Sequence, residues 1–106
     1  MEKIKVMVAD DHSLIRKGLT QILELEKDIE VIAQASNGRE AVEQAMKLKP
    51  DVILMDINMP IQNGLSAIKE LRGKGCSSNV IVLTIHEDRE YLREAVDIGA
   101  NGYVMK

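Results

Sequence analysis

The order of apolar and polar positions along the chain predicts an α/β fold. Five short apolar runs alternate with four longer segments in which apolar residues recur every three or four positions. Short uniform runs predict β-strands, and the longer periodicity predicts amphipathic α-helices. The strands are predicted at Ile4–Ala9, Ile29–Ala35, Val52–Met55, Val80–Ile85 and Tyr103–Met105. This alternation implies right-handed βαβ units and a doubly wound parallel sheet of order 2-1-3-4-5.

The residues that flank the helical segments support the same division. The helix starts are predicted at His12 or Ser13, at Asn37 with Gly38, at Asn63 with Gly64, and at Asp88 as a cap. Pro50 closes the second helix, and Gly99 is predicted to take the left-handed position after the fourth. The second strand is more polar than the others, which favours a place at the edge of the sheet.

Composition narrows the class of protein. With 106 residues the chain is long enough for one domain, and with no Phe or Trp its core must consist of Ile, Val, Leu, Met and Ala. A net charge of −3 argues against direct nucleic-acid binding by this fragment. The single cysteine, Cys76, excludes an internal disulfide. No apolar run approaches the roughly 18 residues of a membrane helix, so no membrane contact is expected and a cytoplasmic protein is predicted.

Polar or ionisable residues stand at the carboxyl end of every predicted strand except the second. They are Asp10 and Asp11, Asp56, Thr84, and Lys106. In a parallel sheet these ends lie side by side, in the crevice where open α/β sheets bind ligands. Three carboxylates there would repel one another by about 4 kcal/mol per close pair in a medium of intermediate dielectric. A cation is therefore expected, and oxygen ligands without a thiolate or imidazole cluster indicate Mg²⁺.

An aspartate beside Mg²⁺ is suited to attack phosphorus and form an aspartyl phosphate. Lys106 and Thr84 would stabilise the transferring oxygens. Each residue also has a structural interpretation: Asp56 could cap the following turn, the acidic pair could precede a helix, Thr84 could be an ordinary strand residue, and Lys106 could be solvated. Their joint occurrence at successive strand ends favours the functional interpretation.

The segments VADDH, DVILMDINMP with Gly64 beyond it, VIVLTIHED and GANGYVMK occur in this order from residue 4 to the end. They resemble the receiver domain of a bacterial two-component response regulator. VADDHSLIRKGL and IHEDREYLREAV further resemble the subfamily that joins a receiver to a LuxR/NarL-type helix-turn-helix. The resemblance implies a flavodoxin-like receiver over residues 1–106. It would be a signalling switch rather than an enzyme, phosphorylated by a sensor histidine kinase and controlling an output such as transcription.

The resemblance also implies the roles of the acidic residues. Asp56 would be the phosphoacceptor. Asp11 and Asp56 would bind Mg²⁺ directly, Asp10 would act through water, and the backbone carbonyl of Asn58 would be a further ligand. On the residues alone, His12 is interpreted as an exposed histidine.

The remaining site residues are implied in the same way. Thr84 and Lys106 would contact the phosphoryl oxygens, and Tyr103 would be the aromatic switch partner of Thr84. Asn58 and His86 would tune the lifetime of the phosphoryl group. From the residues alone, His86 is interpreted as a solvated loop histidine.

Receivers of this subfamily continue past the lysine with a proline, a fifth helix and a DNA-binding domain, whereas this sequence stops at Lys106. We therefore expect a domain truncated before its final helix, with a C-terminal DNA-binding domain in the full-length protein. Apolar side chains of the first and fifth strands, such as Val104, are expected to be uncovered. Self-association of the chain is predicted for that reason.

Two other functions are compatible with parts of the pattern. A phosphatase of the haloacid dehalogenase type also uses an aspartate after a parallel strand with Mg²⁺, but its second aspartate is replaced here by Asn58. A flavodoxin-like module that binds a nucleotide or flavin is the second alternative. Its first βα turn would need glycines, and this chain has Asp10 and Asp11 there.

Overall fold

A computed structural model describes residues 3–84 and 89–105 of the chain. These residues form strands and helices in strict alternation, as predicted. In chain order the elements are β1 (Ile4–Ala9), α1 (Ser13–Glu24), β2 (Ile29–Ala35), α2 (Gly38–Leu48), β3 (Val52–Asp56), α3 (Gly64–Gly73), β4 (Asn79–Thr84), α4 (Arg89–Asp97) and β5 (Gly102–Met105). Strand β4 starts one residue earlier than predicted. Its predicted end at Ile85 and the predicted Asp88 cap lie outside the described residues.

The five strands form one parallel sheet of order β2-β1-β3-β4-β5, which confirms the predicted topology. β2 and β5 are the edge strands, and β2 is partly exposed along most of its length, in agreement with its polar composition. One irregularity interrupts the pairing of β1 with β2. Val6 pairs with Val31 and Met7 with Ala33, so Ile32 is an extra residue that forms a β-bulge.

The main hydrophobic core lies between one face of the sheet and helices α2, α3 and α4. Alternate residues of the central strands face it, among them Met7, Ile53 and Val82, all fully buried. Ala41 of α2 and Ile68 of α3 pack against them. Because side chains alternate between faces, the intervening strand residues must be covered from the other side, which explains why these runs are apolar throughout.

The opposite face of the sheet is covered less completely. Helix α1 contacts β1 and β2, but none of its residues is fully buried. Val8 of β1 is buried, whereas the side chain of Val104 on β5 is 49% exposed, as predicted. Further large apolar side chains are exposed on the α1 side, at Leu14 and Ile22 of α1 and at Leu25 directly after the helix. The two faces therefore differ: one is a closed core and the other carries exposed apolar side chains.

The helix ends follow the sequence signals with one exception. Asn37 and Asn63 accept hydrogen bonds from the backbone N–H groups of Glu40 and Ser66, so they are N-caps. Gly99 takes the left-handed conformation after α4, as predicted. After α2 the left-handed residue is Lys49, with φ of 51°, directly before Pro50. Among the described residues no helix is long and apolar enough to cross a membrane.

Candidate functional site

The carboxyl ends of β1 and β3 bring three carboxylates together. Ala9 pairs with Met55, so the residues that follow, Asp10 and Asp56, emerge side by side. Asp10 is fully buried and Asp56 is 4% exposed, whereas Asp11 is exposed. One carboxylate oxygen each from Asp10, Asp11 and Asp56, together with a ring nitrogen of His12, lie within 4.8 Å of one another. The predicted convergence of strand ends is therefore observed for these residues.

Hydrogen bonds hold the end of β1 in place. The backbone N–H of Asp10 donates to Ala35 O over 3.0 Å, which extends the pairing with β2 by one residue. Arg16 Nη1 donates to the carbonyl oxygen of Asp10 over 2.7 Å. The backbone N–H of His12 donates to Asp10 Oδ1 over 2.9 Å. The turn from β1 into α1 is thus organised around the buried Asp10.

His12 makes contacts that the sequence analysis did not predict. Its side chain is 61% exposed, as the sequence interpretation had it, but its Nδ1 lies 3.1 Å from Oδ1 of Asp10 and 3.1 Å from Oδ1 of Asp11. It is therefore part of the acidic site. The signal that could have indicated this is its place directly after the acidic pair, as the N-cap residue of a helix that begins at Ser13.

Gly64 fixes the position of Asp56 by close approach. A Cβ at Gly64 would lie 1.9 Å from the carbonyl oxygen of Asp56 and 2.9 Å from its carbonyl carbon. The N–H of Gly64 donates to Ile57 O over 2.7 Å. Only a glycine allows the start of α3 to pack directly on the backbone of Asp56, the predicted phosphoacceptor.

The loop between β3 and α3 is tied to a second helix. Gln62 N–H donates to Pro60 O over 2.7 Å, which closes a γ-turn at Ile61 with φ of 68°. This conformation costs a β-branched residue about 1–3 kcal/mol. Gly38 N–H donates to Gln62 O over 2.8 Å, and a Cβ at Gly38 would lie 2.1 Å from that oxygen. The N-terminus of α2 therefore contacts the loop that follows Asp56.

Polar contacts continue from this loop along α3. Gln62 Nε2 donates to Glu70 Oε1 over 3.0 Å, and Lys74 Nζ lies 2.8 Å from Glu70 Oε2. The hydrogen bond from Lys74, followed by the one from Gln62, holds the pKa of the Glu70 carboxyl below its usual value. The loop is thereby linked to the exposed face of α3.

The predicted switch residues lie on neighbouring strands. Thr84 is buried at the end of β4, and Tyr103 on β5 is half-buried. Val82 pairs with Tyr103, and Thr84 is two residues beyond Val82, so Thr84 and Tyr103 occupy the same face of the sheet. Asn58, two residues after Asp56, is exposed. Lys106 and His86 lie outside the described residues, so their predicted roles are not tested.

The acidic cluster fits the chemistry of a divalent cation. Asp10 and Asp56 are buried carboxylates next to a third, and burial of like charges is costly unless a cation or proton compensates them. Carboxylate and carbonyl oxygens are the ligands that Mg²⁺ prefers. Asp10, Asp11 and Asp56 are the residues in this group that would hold such an ion.

The sequence profile of the family described as "Response regulator receiver domain" matches residues 6–106. The chain belongs to this receiver family. It is 44% identical over 104 residues to the transcriptional regulatory protein DegU of Brevibacillus brevis, covering 98% of this chain and 44% of DegU. The receiver therefore spans about half the length of the curated relatives it matches.

Solved structures give the same assignment for this receiver domain. The signal receiver domain of the putative response regulator NarL from Mycobacterium tuberculosis superposes with a TM-score of 0.96 at 30% identity, covering 99% of this chain and 85% of that one. The response regulator domain of Thermotoga maritima CheB superposes with a TM-score of 0.94 at 38% identity. The superposition covers 99% of this chain and 79% of the CheB chain. The LuxR/NarL-type resemblance and the receiver fold are confirmed.

The family assignment decides between the functions considered from sequence. The receiver of a two-component response regulator is supported, and its relatives are transcriptional regulators. Neither the phosphatase of haloacid dehalogenase type nor the nucleotide-binding or flavin-binding module is supported. Receiver domains bind Mg²⁺ at their acidic pocket, and the acidic cluster of this chain occupies the corresponding end of the sheet.

Proposed function

We propose that this receiver domain is a switch in which Asp56 accepts a phosphoryl group from a sensor histidine kinase. The observation that supports the proposal is the convergence of three carboxylates within 4.8 Å at the ends of β1 and β3, with Asp56 almost fully buried. A carboxylate so placed is a nucleophile whose negative charge needs a cation beside it. In this role the domain is a signalling phosphoacceptor and not a turnover enzyme.

The ligand set for Mg²⁺ is proposed from the same residues. Asp11 and Asp56 would coordinate the ion directly, Asp10 would act through water, and the Asn58 carbonyl would complete the protein ligands. Mg²⁺ when bound would offset charge on the phosphoryl oxygens. The buried position of Asp10, held by the backbone N–H of His12, supports its role in orienting the ligands rather than in the chemistry.

The proposed transfer is a substitution at phosphorus. One carboxylate oxygen of Asp56 forms the new P–O bond, while the P–N bond to the kinase histidine breaks and its electron pair leaves with the imidazole. The hydroxyl of Thr84 would donate to a phosphoryl oxygen, and the ammonium of Lys106 would neutralise another. Asn58 and His86 would set how readily water reaches the acyl phosphate.

Transmission of the signal is proposed to use β4 and β5. Thr84 would move toward the new anion, and the ring of Tyr103 would fill the space that it leaves. Support comes from the shared sheet face of these two side chains and from the burial of Thr84. The face formed by α4 and β5 would then change shape and give a two-state element.

The output is proposed to be transcription through a C-terminal DNA-binding domain of the full-length protein. Support comes from the relatives named transcriptional regulatory proteins, of which this chain covers 44% to 52%. Action in the cytoplasm and self-association of the chain remain predictions from the sequence.

Intact-mass measurement after incubation with acetyl phosphate and Mg²⁺ tests the central proposal. The wild type is expected to gain the mass of one phosphoryl group, and chelation of Mg²⁺ is expected to prevent the gain. Asp56→Asn should gain nothing, whereas Asp28→Asn, which changes an aspartate in the loop before β2, should behave like the wild type. Phosphorylation of Asp56→Asn at the wild-type rate would refute the assignment of the phosphoacceptor.

A further inference from the structure

Arg72, near the end of α3, joins three segments at the amino-terminal edge of the sheet. Its Nη1 donates to the carbonyl oxygens of Cys76 and Ser78 over 2.8 Å each, in the loop before β4. Its Nε donates to Gly99 O over 2.9 Å, and its Nη2 donates to Asn101 Oδ1 over 2.7 Å, both between α4 and β5. Because the donors of a guanidinium have a fixed planar arrangement, these four bonds hold their acceptors in one geometry.

Asn101, the residue directly before β5, completes this attachment. Its Oδ1 also accepts a hydrogen bond from the N–H of Val80 over 2.9 Å, and its own N–H donates to Val80 O over 2.7 Å. Gly99 has a φ of 108°, and a Cβ there would lie 2.9 Å from Cγ of Arg72. The end of α4 and the start of β5 are therefore fixed on α3 and β4 by side-chain and backbone contacts together.

The rest of α4 is packed less firmly than the other helices on its face of the sheet. It buries one residue, Ala95, whereas α2 buries four and α3 buries five. Tyr91 and Ile98 are only partly buried beside Ala95. The helix returns from the carboxyl ends of the parallel strands, where Thr84 lies, to their amino ends. Its start therefore lies at the edge of the sheet that carries the phosphoacceptor, and its firmly held end lies at the opposite edge.

We propose that Arg72 and Asn101 fix the end of α4, so that phosphorylation tilts α4 about this end rather than shifting the whole helix. A helix that is held at one end and lightly packed along its length moves by rotation about the held end. The inference rests on the proposed function and deepens it, because it states which part of the α4 surface changes. The exposed side chains at the start of the helix, those of Arg89, Leu92 and Arg93, are displaced most and form the surface that a partner distinguishes.

Amide chemical shifts recorded with and without acetyl phosphate, in excess Mg²⁺, test the proposal. In the wild type the shift changes should be largest near Tyr91 and close to zero at Gly99 and Ala100. Arg72→Lys keeps the charge but replaces the planar fork by a single ammonium, so the changes at Gly99 and Ala100 should become as large as those at Tyr91. Equal changes at both ends of α4 in the wild type would overturn the proposal, as would the same decline along α4 in Arg72→Lys as in the wild type.

Substitutions of Asn101 separate loss of this attachment from a general loss of stability. Asn101→Asp keeps the oxygen that accepts from Arg72 and Val80, whereas Asn101→Ala removes it at an exposed position, so both variants should fold. Hydrogen exchange of the Ala100 N–H, which donates to Ala95 O, should be about fivefold faster in unphosphorylated Asn101→Ala and within about twofold of the wild type in Asn101→Asp. Equal exchange in the two variants would overturn the proposal. A wild type in which no part of α4 responds to phosphorylation would instead contradict the proposed function itself.

Discussion

Substitution of Gly64 by alanine tests how the site is built. The new Cβ would lie 1.9 Å from the carbonyl oxygen of Asp56, 2.9 Å from its carbonyl carbon and 3.1 Å from Cα of Ile57. All three atoms belong to the backbone, so no side chain can rotate away. The start of α3 and the end of β3 must separate by more than an ångström to reach an ordinary contact.

The expected cost follows from this displacement. Overpacking against a rigid backbone costs about 1–3 kcal/mol. Separation also weakens the hydrogen bond from Gly64 N–H to Ile57 O, which adds about 1 kcal/mol. The better helix propensity of alanine offsets about 1 kcal/mol of this. We therefore expect Gly64→Ala to lower the free energy of unfolding by about 1–3 kcal/mol, or the melting temperature by about 4 °C or more.

The same displacement moves the proposed phosphoacceptor. A misplacement of about 1 Å can slow a reaction by about a hundredfold, so phosphorylation of Gly64→Ala by acetyl phosphate should be at least tenfold slower. Urea denaturation measures the loss of stability, and intact-mass time courses measure the rate of phosphorylation. Gly18→Ala is the matched control, because Gly18 lies within α1 and a Cβ there meets nothing within 4 Å. It should stabilise the domain by about 0.5–1 kcal/mol and leave the rate unchanged.

If Gly64→Ala were as stable as Gly18→Ala and phosphorylated at the wild-type rate, the close approach of α3 to Asp56 would not position the site. An intermediate outcome is informative as well. A loss of stability with an unchanged rate would mean that the displacement is absorbed by α3 rather than by the backbone of Asp56.

Further predictions concern charge, coupling and association. Asp56→Asn should raise the melting temperature in the absence of metal, because it removes one of three clustered carboxylates. Added Mg²⁺ should raise the melting temperature of the wild type. A wild type whose melting temperature does not respond to Mg²⁺ would contradict the proposed metal site. Thr84→Ala should still accept phosphate but lose the response at Tyr103, and equal amide shift changes there in both proteins would rule out this route. The lowered pKa of Glu70 means that its carboxylate stabilises the fold above the pKa of the unfolded chain and that this contribution is lost as pH falls through the lower folded value. Glu70→Gln should therefore differ from the wild type in urea denaturation at pH 7 and converge with it in acid; a difference independent of pH would count against the ion pair. Light scattering should show an average molar mass that rises with protein concentration. Leu25→Lys changes a side chain that is 81% exposed, so it should reduce this rise without loss of stability. A wild type that stays monomeric at high concentration would refute self-association.

The larger part of the fold could be predicted from the sequence because it depends on local patterns and on general rules of topology. Strand β1 and the start of α1 agree with the prediction, since an apolar run followed by a 3.6-residue period leaves few alternatives. The strand order follows from the right-handedness of βαβ units. The meeting of Asp10 with Asp56 could be predicted for the same reason, because parallel strands end at one edge.

Distances between side chains and close backbone contacts were decided by the tertiary structure. His12 was interpreted as an exposed histidine, and only the structure shows that its Nδ1 lies 3.1 Å from a carboxylate oxygen of Asp10 and of Asp11. Gly38 and Gly64 were interpreted only as residues at helix starts. Both are in fact required by close contacts with backbone oxygens, those of Gln62 and Asp56 respectively. Periodicity specifies which face of an element is buried, whereas such contacts depend on how closely two elements pack, to within an ångström. That spacing is set by all side chains between the elements together, and no single segment of sequence contains it.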